Sequence, residues 1–311
     1  MPGCIAIVLN AGSGGRAPPD PDALRRMFTT PGTTDGAAVE VFRREAGAPV
    51  DGVLRAALAR RPACLVAAGG DGTVNAVAAA AIEHDLPLGV LPIGTLNHFA
   101  RDLDVPVDID AAAAAIASAL AAGTERRVDV ASANGRLFLN NASLGLYATM
   151  VVDRERQQRR LGRGKWSALL RATLAALREP EAFEVALEVD GRTLRRRTPF
   201  VFVGNNDYIV QGPEAGRRAS LDDGLLSVYV LHPRTAGGLL WLALRTLLLG
   251  TAGARDLDVF EARELEVHAR AARLPVARDG EVGELDTPIR FAVQPRALRV
   301  LAPPPPAEGA A

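Results

Sequence analysis

Lysine is almost absent from this 311-residue chain: Lys165 stands alone, and arginine carries nearly all the positive charge. Its setting, Arg163-Gly164-Lys165-Trp166, lacks the Ser or Thr that follows a P-loop lysine, which argues against a Walker-type nucleotide site. Net charge is missing too. The 36 Lys and Arg balance 36 Asp and Glu, so no global basic field invites nucleic acid. The two cysteines, Cys4 and Cys64, lie in apolar strand-like runs and read as packed thiols in a reducing cytoplasm rather than as a disulfide or metal pair. The four histidines, His84, His98, His232 and His268, show neither metal-ligand spacing nor a Ser or Cys nucleophile pattern. The first ten residues lack the basic start of a signal peptide. No run reaches the roughly 18 uncharged apolar residues of a bilayer span. The longest, Leu239 to Leu249, is interrupted by Arg245.

Hydrophobic residues make up 48% of the chain, ample for a core. The most informative stretch is Gly69-Gly70-Asp71-Gly72-Thr73-Val74-Asn75. It follows an apolar run at Ala63 to Val66, read as a strand, and precedes an alanine-rich helix over Ala76 to Ile82. Glycines at such a turn permit positive φ and close ligand approach, and Thr73 is placed to cap the helix. A helix N-terminus with open N–H groups is an anion site, most plausibly for phosphate. Asp71 is out of place in a bare phosphate cradle, which favours a nucleotide bound with Mg²⁺.

Strands and helices alternate through the first 125 residues. Strands are expected at Cys4 to Leu9, Ala37 to Phe42, Ala63 onward and Leu86 to Ile93, and helices from Asp20, over Val50 to Arg60 and over Asp110 to Ala122. That alternation is the signature of a parallel α/β sheet. Three strand ends carry Gly with Ser, Thr or Asn: Asn10-Ala11-Gly12-Ser13-Gly14, the Gly69 loop, and Gly94-Thr95-Leu96-Asn97. Ligands bind beyond the carboxyl ends of such strands, so the three loops can converge on one ligand. From residue 126 the pattern becomes mostly antiparallel β, with Asp190-Gly191 as a hairpin signal. A helical insertion, Asp153 to Arg178, carries Arg154, Arg156, Arg159, Arg160 and Arg163, and then an amphipathic half with Trp166. It suits a helix docked on the sheet, or less strongly a face on anionic lipid. The tail from Pro303 is proline- and alanine-rich and is expected to be disordered. The second half also holds Ser220-Leu221-Asp222-Asp223-Gly224-Leu225 and Arg278-Asp279-Gly280-Glu281, either of which is by itself a plain acidic turn.

Taken in order, these segments resemble the diacylglycerol kinase catalytic family of lipid kinases. Gly69 to Thr73 is similar to its nucleotide loop, which has relatives in phosphofructokinases and NAD kinases. Asn10 to Gly14 is similar to its Asn-Pro-x-Ser-Gly loop, with Ala11 replacing proline. Gly94 to Arg101 is similar to Gly-Thr-x-Asn-Asp-Phe-Ala-Arg, with His98 replacing the aspartate. A threonine that follows strand two in the family has no counterpart near Phe42-Arg43-Arg44.

The resemblance implies an α/β plus β fold. Residues 1–125 would form a nucleotide-binding domain of the NAD-kinase and phosphofructokinase type, completed by a returning strand at 298–301. Residues 126–297 would form a β-rich lipid-substrate domain. It further implies ATP and Mg²⁺, with Asn10 to Gly14, Gly69 to Asn75 and Thr95 on the nucleotide. Asp223, with carbonyl oxygens of Ser220 and Leu225, would hold a largely structural Mg²⁺. Glu281 would be the proton acceptor, Asp279 would orient it or help with metal, and Asp71 is its chief competitor. The substrate would be a hydroxyl-bearing lipid such as diacylglycerol, phosphatidylglycerol or a sphingoid base, met at the inner face of the membrane. Two rivals stay open: an NAD-kinase-like enzyme with a soluble acceptor, and a non-catalytic regulator that binds nucleotide or lipid. Oligomeric state is unread, with a homodimer as one option.

Overall fold

The computed structural model describes residues 4–12, 19–28, 38–45, 47–145, 182–189, 191–209, 216–232 and 257–303. The Arg-rich insertion, the Leu239 run and the tail beyond Pro303 lie outside the described residues, as do Ser13, Gly14 and Lys165. The chain divides into two compact units, 1–130 with 296–311, and 131–295.

The first unit is built on parallel strands β1 (Ile5–Asn10), β2 (Val39–Arg44), β3 (Cys64–Gly69) and β4 (Leu88–Pro92), in the order β2-β1-β3-β4. β1 and β3 are almost entirely buried. This is why they read as continuous apolar runs: helices cover a parallel sheet on both faces. The helices are α1 (Pro21–Phe28), α2 (Val50–Leu58), α3 (Asp71–Glu83), α4 (His98–Asp102) and α5 (Ile109–Ala122). Asp108 caps α5 through Ala111 N–H at 2.9 Å, and Gly123 closes it in the left-handed conformation at φ 63°. Cys4 and Cys64 are free and buried, and burial pushes the Cys64 thiol up to about 12, so it is an inert packing group.

The last strand, β16 (Ile289–Leu301), runs through the boundary between the units. Its end lies parallel to β4, with Val300 opposite Leu88. Arg299 fixes it there by donating to both Glu125 oxygens, at 2.6 and 2.8 Å, and to Asp85 Oδ1 at 3.1 Å. Where β16 enters this unit, buried Asp129 accepts the Arg296 N–H at 2.7 Å.

The second unit packs two antiparallel sheets over one core. One contains β13 (Glu264–Ala269), β8 (Phe183–Val189), β9 (Arg192–Thr198) and the first half of β16. The other is ordered β12 (Leu257–Ala262), β11 (Leu226–Leu231), β10 (Phe200–Asn205), β7 (Asn141–Gly145), β14 (Arg273–Arg278), β15 (Glu281–Asp286). Inward residues of both sheets, among them Leu144, Val203, Val228, Leu187, Val267 and Phe291, form the core. Phe138 of β6 (Arg136–Phe138) meets Phe291 edge to face, with centroids 6.4 Å apart. β6 pairs with the end of β5 (Arg126–Ala133) through the turn Asn134-Gly135, both at positive φ.

The α/β plus β class expected from sequence is therefore the observed one. Three local expectations are corrected. α3 begins at Asp71, five residues earlier than the alanine run suggested, so Gly69 ends β3, Gly70 is the cap and Asp71-Gly72-Thr73 opens the helix. Gly69, Gly70 and Gly72 are not among the positive-φ residues. Thr73 is not the cap; Gly70 is, and no side chain caps the helix.

Candidate active site

In the first unit the three glycine-bearing loops leave neighbouring strands β1, β3 and β4. What the glycines supply is close approach. A Cβ on Gly94 would lie 2.5 Å from the Gly70 Cα, and one on Gly69 would lie 2.6 Å from the Thr73 side chain. Buried Thr73 accepts a hydrogen bond from Asn10 Nδ2 at 2.9 Å, joining the β1 and β3 loops. Asn10 Oδ1 in turn accepts the Gly12 N–H at 3.1 Å. Asp71 Oδ1 accepts the His98 N–H at 3.1 Å, joining the β3 and β4 loops. Burial raises the Asp71 carboxyl above the ordinary aspartate range, while His98 and main-chain N–H groups pull it back. Asn97, at φ 50°, donates to the carbonyls of Pro92 and Gly94 and ties that loop to the end of β4. Thr95 and Leu96 are exposed, Ala11, Gly72 and Asn75 are half-buried, and Val74 is buried. Arg43 pairs with Glu45 at 3.1 Å on the surface.

In the second unit the Asp279-Gly280 turn has both residues at positive φ, 45° and 82°, and joins Arg278 to Glu281 as a type I′ hairpin. The Asp279 carboxylate points back into the unit. It accepts the N–H groups of Leu139 at 2.7 Å, Asn140 at 2.8 Å and Asn141 at 3.1 Å. Burial pushes this carboxyl up; the three N–H groups and the Arg218 guanidinium oppose that. Both oxygens of Asp279 are thus engaged, and the turn is pinned to the segment before β7. Glu281, the first residue of β15, is exposed.

Sequence reasoning missed Arg218. It is buried and donates to the Leu139 carbonyl at 2.7 Å and to Asn140 Oδ1 at 3.3 Å. Asn205 Nδ2 donates to the same Leu139 carbonyl at 2.8 Å, and Tyr208 Oη to the Asn140 carbonyl at 3.0 Å. Nothing in Arg217-Arg218 marks one of the two as buried. Asn140, Asn141 and Asn205 are members of this network. The Ser220 to Leu225 segment is a surface turn with Gly224 at φ 70°. Ser220 Oγ bonds Asp222, Asp223 is exposed, and the Leu225 carbonyl accepts the Asn206 N–H at 2.9 Å.

Residues 5–133 match the model of the diacylglycerol kinase catalytic domain, and 141–302 match the YegS C-terminal NAD kinase beta sandwich-like domain. A Pseudomonas aeruginosa (strain PAO1) protein named "Probable lipid kinase YegS-like" is 35% identical over 81% of this chain and 80% of its own length. The chain belongs to the lipid kinase family built on the diacylglycerol kinase catalytic domain. A Bacillus subtilis (strain 168) protein named "Diacylglycerol kinase" is 27% identical over 78% of this chain and 79% of its own length. The fold agrees: a crystal structure of a diacylglycerol kinase from Bacillus anthracis str. Sterne aligns with a TM-score of 0.67 at 20% identity, covering 97% of each chain. Lipid kinases are phosphotransferases, and this chain is one by family. No helix among the described residues is long and apolar enough to cross a membrane.

Proposed function

We propose that this chain transfers the γ-phosphate of ATP, with Mg²⁺, to the hydroxyl of a lipid such as diacylglycerol, phosphatidylglycerol or a sphingoid base. The observation that carries the reading is the union of three strand-end loops through Gly70 against Gly94, Asn10 with Thr73, and Asp71 with His98. A glycine-lined helix N-terminus, with Gly70 at the cap position, suits phosphate oxygens. Asn10, Ala11, Gly12, Gly69 to Asn75 and Thr95 are the described residues assigned to the nucleotide; Ser13 and Gly14, assigned with them, lie outside the described residues.

Phosphoryl transfer asks for position, charge neutralisation and a destination for the hydroxyl proton. The exposed Glu281 carboxylate is assigned the proton. Asp279 is assigned a positioning role, since its oxygens are held by three main-chain N–H groups. Asp71 orders two loops and is the second choice as base. The donor set Asp223 carboxylate, Ser220 carbonyl and Leu225 carbonyl is all oxygen, which suits Mg²⁺. An ion held there supplies a fixed positive charge that rigidifies the turn. Asp223→Ala is then expected to abolish any rise in thermal unfolding temperature on adding Mg²⁺; an undiminished rise would remove the assignment.

The deciding assay uses γ-labelled ATP and a panel of lipids in mixed micelles, with NAD alongside. Label entering the organic phase supports the reading. Transfer to NAD alone, or ATP binding with no transfer to any acceptor, would overturn it. A location at the inner face of the membrane, and contact with anionic lipid, belong to the same proposal.

A further inference from the structure

β9 reads Arg192-Thr193-Leu194-Arg195-Arg196-Arg197-Thr198. In register, Arg195 stands opposite Ala186 of β8 and Arg197 opposite Glu184. On the other side of β8, His268 of β13 faces the same Ala186. Side chains alternate along a strand, so Arg195, Arg197, Ala186, Glu184 and His268 share one face. The Ala186 methyl is the low point between a guanidinium and an imidazole. The result is a hollow of about 590 Å³ ringed by Arg195, Arg196, Arg197, His268 and Arg270.

Its charge is unbalanced. The lining carries four arginines and one glutamate, and Glu266, on the same face, pairs with His268 at 3.2 Å and with Arg290 at 3.0 Å. Arg196 Nε donates to Asp258 at 2.6 Å, and Arg270 pairs with Glu184 at 2.8 Å. Arg195 and Arg197 are exposed, with no ion-pair partner among the described residues. Among those residues β9 is an edge strand, paired only with β8. Charge on an edge strand guards against edge-to-edge association. That role asks nothing of the far wall of the hollow, formed by His268 of β13 and by Arg270 just beyond its end. On that far side Arg270 is held by Glu184 and His268 by Glu266 at 3.2 Å, which leaves Arg195 and Arg197 as the open donors at the hollow.

We propose that this hollow binds a phosphate group. Guanidinium forks match phosphate oxygens in paired hydrogen bonds, and those of Arg195 and Arg197 have no ion-pair partner among the described residues. The phosphate can be borne by a lipid headgroup or by a soluble ester. The site lies wholly within the second unit and does not depend on the catalytic proposal.

Direct binding tests it, using the full chain, wild type beside Arg195→Gln/Arg197→Gln. One arm is flotation with phosphatidylcholine vesicles with and without phosphatidylglycerol. The other is calorimetric titration with glycerol 3-phosphate and inorganic phosphate. Two arginines at an anionic surface correspond to about 30-fold in affinity at low salt, which is the expected loss in the double variant. Vesicle binding without soluble binding would name the headgroup as the source; soluble binding would name the free ester. Both positions are exposed, so thermal unfolding should match wild type. Arg25→Gln/Arg26→Gln on α1 serves as a charge-matched control. The proposal is overturned if wild type binds neither probe, if the β9 variant binds as wild type does, or if the α1 control weakens binding equally.

Discussion

Asp71 shows how a residue can serve order and chemistry at once. Its carboxylate joins two loops through the His98 N–H, yet burial holds its proton affinity above the ordinary range. The folded chain therefore binds that proton more tightly than the unfolded chain. The stability this contributes is fully present below the usual aspartate value and is lost as pH rises through the folded value. Asp71→Asn keeps an oxygen for His98 and removes the buried charge. It is expected to flatten the fall in unfolding free energy above roughly pH 4 and to raise stability at neutral pH. Urea melts at acid and neutral pH check this; unchanged pH dependence would mean another group dominates. Asp279 makes the opposite case. Removing it in Asp279→Ala strands three N–H groups, at an expected cost of about 2–3 kcal/mol in the same melts. The Asp-Gly turn was legible in the sequence. Its partners, some 140 residues upstream, were not, because no local pattern encodes so distant a contact.

At the level of elements, the phosphate-loop candidate is a packing problem before it is a ligand problem. Gly94→Ala would drive a methyl into the Gly70 backbone and the Asn97 side chain. An expected loss of about 1–3 kcal/mol follows, together with weaker ATP binding as the loops part. Gly52, inside α2, has open space where a Cβ would go, so Gly52→Ala is expected to stabilise by about 0.5–1 kcal/mol and to leave ATP binding unchanged. Thermal melts and nucleotide titration of the two variants separate these outcomes. The parallel strands were legible because burial on both faces leaves continuous apolar runs. The first turn of α3 was not, since Gly-Asp-Gly-Thr has loop composition and the helix is imposed by packing on β3 and β4. β9 was marked only by the Asp190-Gly191 hairpin signal before it: Arg-rich Arg192 to Thr198 has no apolar face of its own, and pairing with β8 makes it a strand. β7 was hidden because Asn140-Asn141 reads as a turn, although Asn141 starts a central strand of the second sheet.

For the molecule as a whole, the chain's last strand matters most to the first unit. Leu298, Val300 and Leu301 are buried, and β16 covers the β4 edge that would otherwise be bare. A chain ending at Pro295 is expected to aggregate on expression. Soluble, cooperatively melting protein from that truncation would show that the β16 end is dispensable. The central claim concerns chemistry, and one comparison tests it most directly: the rate of label transfer from ATP to lipid in wild type and in Glu281→Ala, with ATP affinity measured on both. Loss of a positioned base predicts a fall of roughly 10²–10⁴-fold in transfer with ATP binding retained. Wild-type transfer that Glu281→Ala leaves undiminished would contradict the assignment of Glu281 and return the proton to Asp71.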